Sequence, residues 1–218
     1  MYTSVLFDLD GTLLDTLDDL TAAGNHALTL LDLPTHSSES FRQMVGSGIE
    51  NLVRRMLPSD RLGGATEELA LSLFRSYYSA HMNDQTRPYP GILSLLHRLR
   101  QKGLGLAVLS NKSHEHVLPI LDTHFPGLFD FSVGQQEGIP LKPDPTSARK
   151  LLEQMDADPA RTLYCGDSGV DMLTARNAGL PACGVLWGFR DRDELSEAGA
   201  DFLVEDVAAL ERILLEPH

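Results

Sequence analysis

Four short segments of this chain gather residue types able to move a phosphoryl group. Asp8-Leu9-Asp10-Gly11-Thr12 supplies two carboxylates and a hydroxyl on one loop, and Ser110-Asn111-Lys112 supplies a second hydroxyl. Lys142-Pro143-Asp144-Pro145 adds an ammonium, and Gly166-Asp167-Ser168-Gly169-Val170-Asp171 adds two carboxylates four positions apart. Phosphate-monoester hydrolysis needs acceleration of up to about 10²¹-fold, so a nucleophile, a proton donor and charge neutralisation must all be present. A carboxylate can be that nucleophile, splitting one hard step into formation and hydrolysis of an acyl phosphate. Residues 8 and 10 alternate in an extended segment, which puts a second carboxylate near enough to protonate a leaving group and later deprotonate water. Asp8, Asp10, Asp167 and Asp171 would repel one another severely without a cation. A hard, oxygen-liganded ion answers that repulsion, and Mg²⁺ takes one or two carboxylates plus waters and substrate phosphate.

These residues act together only if the chain folds them to one place. Thr3 to Phe7 is short, β-branched or aromatic, and stops at acidic and glycine residues, so it reads as a buried strand. Thr16-Leu17-Asp18-Asp19 looks like a capping-box variant opening an amphipathic helix that Leu33-Pro34 ends. Helical patterns follow from Ser38 to Met44, Ile49 to Leu57 and Thr66 to about Met82, the last with Leu69, Leu73, Tyr77 and His81 on one face. After Pro88-Tyr89-Pro90-Gly91 the pattern alternates. Helices are expected at Leu93 to Lys102, His114 to Leu121, Thr146 to Met155, Asp171 to Ala178 and Val207 to Leu215. Strands are expected at Leu104 to Leu109, Phe131 to Val133, Thr162 to Cys165, Ala182 to Trp187 and Asp201 to Val204. Such alternation means an α/β fold, a doubly wound parallel sheet covered on both faces. The first strand finds no partner in the helical block and must pair with strands beyond residue 100. Residues 1–15 and 87–218 therefore read as the core, and 16–86 as an inserted helical cap domain. The chemistry-bearing segments follow strand ends, where function collects in open parallel sheets.

Composition narrows the partners. The formal net charge of -13 argues against nucleic acid or an anionic membrane surface. An anionic substrate must then be drawn by local cations. Cys165 and Cys183 fall in apolar runs and suit reduced thiols. No run approaches the ~18 apolar residues of a membrane span, and no signal-peptide pattern precedes Asp8, so a cytoplasmic protein is expected.

In order along the chain, Asp8-x-Asp10-Gly11-Thr12, Ser110, Lys142-Pro143 and Gly166-Asp167-x-x-x-Asp171 resemble the four motifs of the haloacid dehalogenase superfamily. The helical block falls where that superfamily places its α-helical type-1 cap. Val45-Gly46-Ser47-Gly48, Arg55, Lys142-Pro143-x-Pro145 and Trp187-Gly188 look like its phosphoglycolate-phosphatase branch. The resemblance implies a Mg²⁺-dependent phosphatase acting on a small phosphorylated metabolite, with 2-phosphoglycolate the best match, as a monomer or homodimer. It further implies that Asp8 is nucleophile and metal ligand, and that Asp10 is general acid/base and lends its backbone carbonyl to the metal. Asp167 would complete the protein ligands, and Asp171 would orient a metal-bound water. Ser110 and Lys142 would hold the transferring phosphoryl group. Thr12 and Asn111 would shape the loops around the substrate, and Gly48 and Arg55 would meet it from the cap.

Each signal has a plainer reading. Asp10-Gly11 is a turn signal, Ser110-Asn111 an ordinary helix N-cap, and Lys142 a solvated loop lysine. Asp167 and Asp171 would also favour the amino end of the following helix. Gly46-Ser47-Gly48 is either a helix connection or a place where backbone meets ligand. Arg54 and Arg55 are adjacent, so one alone can face the cleft, and a surface arginine competes with the substrate contact. His26, His81, His114 and His116 lack metal-ligand spacing and read as surface or helix-face residues. Trp187 and Tyr89 read as packing anchors. Three other activities fit the same core chemistry. A phosphosugar mutase returns the phosphoryl group to a sugar, a pyrophosphatase or nucleotidase changes the substrate, and a phosphorelay receiver keeps the phosphoryl group for signalling. The receiver is much shorter and phosphorylated after a middle strand.

Overall fold

The computed structural model describes residues 1–216. Its first half runs β1 (Ser4–Phe7), β2 (Leu14–Asp15), α1 (Leu17–Leu30), α2 (Ser38–Met44), α3 (Ile49–Met56), α4 (Ala65–His81), β3 (Arg87–Pro88) and α5 (Ile92–Gln101). There follow β4 (Gly105–Ser113), α6 (His114–His124), β5 (Phe131–Gln135), α7 (Thr146–Gln154), β6 (Thr162–Gly166) and α8 (Gly169–Ala178). The chain closes with β7 (Ala182–Val185), α9 (Arg192–Glu197), β8 (Phe202–Val204) and α10 (Val207–Leu215).

Six strands form one sheet in the order β5-β4-β1-β6-β7-β8, every pairing parallel. β1 is buried along its whole length, as a central strand covered by helices on both faces must be. Val5 and Phe7 pack into one apolar cluster and Leu6 into another on the opposite face. The alternation expected after residue 87 is present, and β1 joins strands found beyond residue 100 as required. Phe7 lies level with Val108 on β4 and Cys165 on β6. Asp8 after β1, Ser110 within β4 and Asp167 after β6 therefore come together at one end of the sheet, at the switch point where the chain turns first to one side of β1 and later to the other.

Helices α1 to α4 build a separate apolar cluster from Leu20, Ala23, Leu28, Phe41, Leu52, Val53, Met56, Phe74 and Tyr78. Burying Phe41 and Phe74 contributes on the order of 2 kcal/mol each. Gly24 is what lets α1 and α2 approach, since a Cβ there would lie 2.3 Å from Phe41 Cζ. Phe189, from the loop after β7, also packs into this cluster and ties it to the sheet edge.

Local details depart from the sequence reading. The capping box at Thr16 does not form: Thr16 makes no side-chain cap bond, and its buried hydroxyl has no hydrogen-bond partner among the described residues. Asp19 instead accepts from the backbone N–H of Gln85 (3.0 Å) and Thr86 (2.9 Å), satisfying orphan donors on the return crossing rather than its own helix end. The two crossings also pair directly as the antiparallel ladder of β2 and β3, unexpected because two-residue strands carry no readable period. On α4 the buried stripe is Ala70, Phe74 and Tyr78. Leu69 is exposed, while half-buried Tyr77 stacks between His26 and His81. β4 runs on to Ser113, so α6 starts after Ser113 and Ser110 is not its N-cap. α9 was not anticipated.

Candidate active site

Asp8 extends β1 by one residue, its N–H donating to Cys165 O at 2.9 Å. Lys142 reaches it from the loop before α7. Its ammonium donates to Asp8 Oδ1 (2.8 Å), Asp171 Oδ1 (2.7 Å) and Leu109 O (3.1 Å). The position of that ammonium is set by Asn111, whose side chain accepts from Lys142 N (2.8 Å) and donates to Lys142 O (3.2 Å). Asp171 is fully committed: Oδ1 also accepts from Tyr164 Oη (3.3 Å), and Oδ2 takes the Ser168 N–H (3.1 Å) and hydroxyl (2.6 Å). Asp167 Oδ2 accepts from Phe189 N at 2.7 Å. Gly188 lies so close that a Cβ there would sit 2.3 Å from Asp167 Cβ, so only glycine fits.

Asp8, Asp167 and Asp171 each offer an oxygen within 4.8 Å of the others, and all three are buried. Burial pushes the Asp8 carboxyl up to about 7, with Asp171 and Asp10 adding to the rise and Lys142 opposing it. Burial, and then the charges of Asp171 and Asp8, hold Asp167 well above the usual carboxylate range. Burial alone would depress Lys142, yet Asp171 and Asp8 outweigh it and keep the group cationic. One ammonium among three buried carboxylates leaves negative charge in excess. Its oxygen-only donor set is that of a hard divalent cation, so Mg²⁺ fits. Asp8 and Asp167 are the members with oxygens to spare, because Asp171 spends both of its own on Lys142, Tyr164 and Ser168.

Asp10 stands apart from that cluster. Lys112 Nζ donates to Asp10 Oδ1 (3.0 Å) and Oδ2 (3.2 Å), and to Tyr78 Oη on the cap at 2.6 Å. Neither Lys112 nor Tyr78 was singled out from the sequence. Lys112 lies two residues past Ser110 in an extended strand, so the period of two placed it on the same side. Tyr78 was hidden by assigning the wrong α4 stripe.

Between cap and core lies a cavity of about 50 Å³ lined by Asp8, Asp10, Ser110, Asn111, Lys142 and Asp167 below. Leu20, Val45, Gly46, Gly48, Ile49, Leu52 and Tyr78 line it from the cap. Gly48 lines the cavity in a left-handed conformation with φ 86°. Asn111 joins the two halves by donating to Gly46 O (3.2 Å). Arg190 does the same: its guanidinium donates to the carbonyls of Arg42 (2.5 Å) and Val45 (2.7 Å), orphans at the carboxyl end of α2. Two expected substrate contacts lie elsewhere. Arg55 is exposed and outside the lining, donating to Met44 O (2.8 Å) and Ser47 Oγ (3.3 Å), so it braces the 45–48 loop. Thr12 also lies outside it, its hydroxyl 3.5 Å from Asp167 Oδ1 and its carbonyl accepting from Trp187 Nε1 (3.0 Å). His116 is not a surface residue: it is buried between Ser113 Oγ (2.6 Å) and Ser79 Oγ of the cap (2.8 Å).

Known proteins are similar to this chain over nearly its whole length. The sequence profile described as haloacid dehalogenase-like hydrolase matches residues 5–185. A phosphoglycolate phosphatase of Cupriavidus necator is 33% identical over 97% of this chain and 93% of its own length. One from Agrobacterium fabrum is 34% identical over 97% and 91%. A solved structure from Lactobacillus delbrueckii subsp. bulgaricus, provisionally described as a phosphoglycolate phosphatase, superposes with a TM-score of 0.92 at 33% identity, covering 99% of both chains. The motif order, the strand-edge cluster of carboxylates around one lysine and these matches have one conclusion: the chain belongs to the haloacid dehalogenase-like hydrolase family.

Proposed function

We propose that this protein is a Mg²⁺-dependent phosphatase that hydrolyses a small phosphate monoester, 2-phosphoglycolate in the first instance, through a phosphoaspartate on Asp8. The observation that carries this reading is the placement of Asp8 at the strand edge, in contact with Lys142 and within reach of Asp167. An oxygen of Asp8 attacks phosphorus as the bond to the leaving oxygen breaks, and Asp10 gives that oxygen its proton. Water then attacks the acyl phosphate, Asp10 takes its proton, and the P–O bond to Asp8 breaks to restore the carboxylate. Lys142 meets the charge on the transferring group, and Ser110 lines the same space. Asp8 and Asp167, with the Asp10 carbonyl, would hold Mg²⁺, which supplies charge neutralisation at the transferring group. Asp171 serves by fixing Lys142.

Support for a small leaving group comes from the cap. The cap side chains lining the space are apolar apart from Tyr78. A sugar would find few hydroxyl partners there, which favours hydrolysis over mutase chemistry. The names borne by the curated relatives point the same way. We assign residues 16–86 as a cap that moves on the crossings near Leu14 to Thr16 and Thr86 to Pro88 to admit substrate. The test is phosphate release from 2-phosphoglycolate, sugar phosphates, nucleotides and pyrophosphate, with Mg²⁺ and with EDTA. Metal-dependent turnover favouring 2-phosphoglycolate is expected; release that EDTA leaves untouched, or none from any compound, contradicts the reading.

A further inference from the structure

We propose that Tyr78 and Lys112 are positioning residues through which the seating of the cap on the core orients the carboxylate of Asp10. The inference rests on the reading of Asp10 as the acid and base of a phosphatase. Lys112 comes from β4 of the core, and its side chain is only 2% exposed. A buried ammonium must be paired. Its N–H groups go to the two Asp10 oxygens and to the Tyr78 hydroxyl, and it also lies 4.7 Å from the centre of the Tyr78 ring. The core alone therefore offers Lys112 the Asp10 side of its shell, while the cap supplies the hydroxyl and the aromatic face that close it.

A second cap–core contact lies beside this one, without reaching Lys112. Ser79, next on α4, meets His116 at 2.8 Å, and the His116 ring packs edge-on against Tyr78 with centroids 5.3 Å apart. With the cap seated, the four-carbon stem of Lys112 has one arrangement; with Tyr78 withdrawn, the ammonium hydrates and the stem regains rotamer freedom. Lys112 then no longer fixes Asp10. In the reaction, the bond from phosphorus to the leaving oxygen breaks while the proton passes from one Asp10 oxygen to that oxygen. The ammonium keeps its hydrogen bond to the other Asp10 oxygen, so the acid stays aimed. No other atom is exchanged.

The discriminating property is the leaving group. Hydrolysis of 2-phosphoglycolate expels an alkoxide that needs the Asp10 proton, whereas acetyl phosphate expels acetate, which departs without one. Tyr78→Phe keeps the ring and removes the acceptor. Its kcat on 2-phosphoglycolate is expected to fall about ten- to a hundredfold, with KM little changed, while kcat on acetyl phosphate falls far less. Lys112→Met should give the same pattern more strongly, which serves the test should Tyr78→Phe fold poorly. Ser79→Ala removes a cap–core hydrogen bond without touching Lys112, and should keep the two substrates in their wild-type ratio. Equal losses on both substrates, a change confined to KM, or no change would overturn the proposal while leaving the phosphatase reading intact. Wild-type enzyme inert to both substrates with Mg²⁺ would overturn that reading and the proposal with it.

Discussion

Lys142 faces Asp8 and Asp171 at 2.8 and 2.7 Å, with its side chain 3% exposed. Lys142→Met keeps much of the volume and leaves a buried cluster of carboxylates with no ammonium. Removing one partner of a buried pair costs about 3–5 kcal/mol. The loss should be largest at neutral pH and should shrink toward acid, where the carboxyls protonate. Thermal melts across pH check this, and Mg²⁺ should restore part of the stability while turnover stays lost. A variant as stable and as active as wild type would remove Lys142 from the account. At this scale most of the site was legible: Asp8, Asp10, Ser110, Lys142 and Asp167 are recognisable by type and by position after strands, and the fold brings them to one cavity. For Arg55 the sequence left a substrate contact and a surface arginine open, because it cannot say which way such a side chain points, and here the Met44 carbonyl accepts from it.

Elements carry the second set of consequences. Gly24 sits in the middle of α1, where glycine weakens a helix by about 1 kcal/mol relative to alanine. Gly24→Ala should nevertheless destabilise, because its Cβ would meet Phe41 Cζ at 2.3 Å and Cε1 at 2.4 Å. Overpacking of this kind costs about 1–3 kcal/mol. Urea denaturation reads it directly, and a gain in stability would show that α1 and α2 are not held at this distance. The strands and helices of the sheet were legible because alternation and apolar runs extend over whole elements. The α4 stripe was not, since Leu69, Leu73 and Tyr77 satisfy the same period as Ala70, Phe74 and Tyr78. Small Ala70 hid the buried one.

For the whole molecule, the metal and the proton compete for one cluster. Burial raises the Asp8 carboxyl from 3.8 to about 7. A raised folded-state value means that the stability this group contributes is complete below about pH 4 and lost as pH rises through about 7. Mg²⁺ binds the ionised form, so its stabilising effect should be small near pH 5 and grow as pH passes about 7. Differential scanning calorimetry with and without Mg²⁺ tests the sign, and a shift that is larger in acid would contradict it. Against the chain's overall charge of -13, an anionic substrate must be met by a local cation, and Lys142 beside Asp8 is the one the proposed reaction uses. Among the described residues no helix is long and apolar enough to cross a membrane. The shift from an all-helical to an alternating pattern was legible, and the proposed division at residues 16 and 86 follows it. What the sequence could not reveal is how the halves touch: Asn111 with Gly46, Arg190 with Val45 and Tyr78 with Lys112 join residues distant in the chain.

The central claim is that Asp8 becomes covalently phosphorylated. Rapid acid quench of the enzyme turning over 2-phosphoglycolate with Mg²⁺, followed by peptide mass analysis, tests it most directly. The account predicts one phosphoryl group on Asp8 in the wild-type enzyme and none in Asp8→Asn, which should fold normally and release no phosphate. Turnover by Asp8→Asn, or a phosphoryl group found on any other residue, would contradict it.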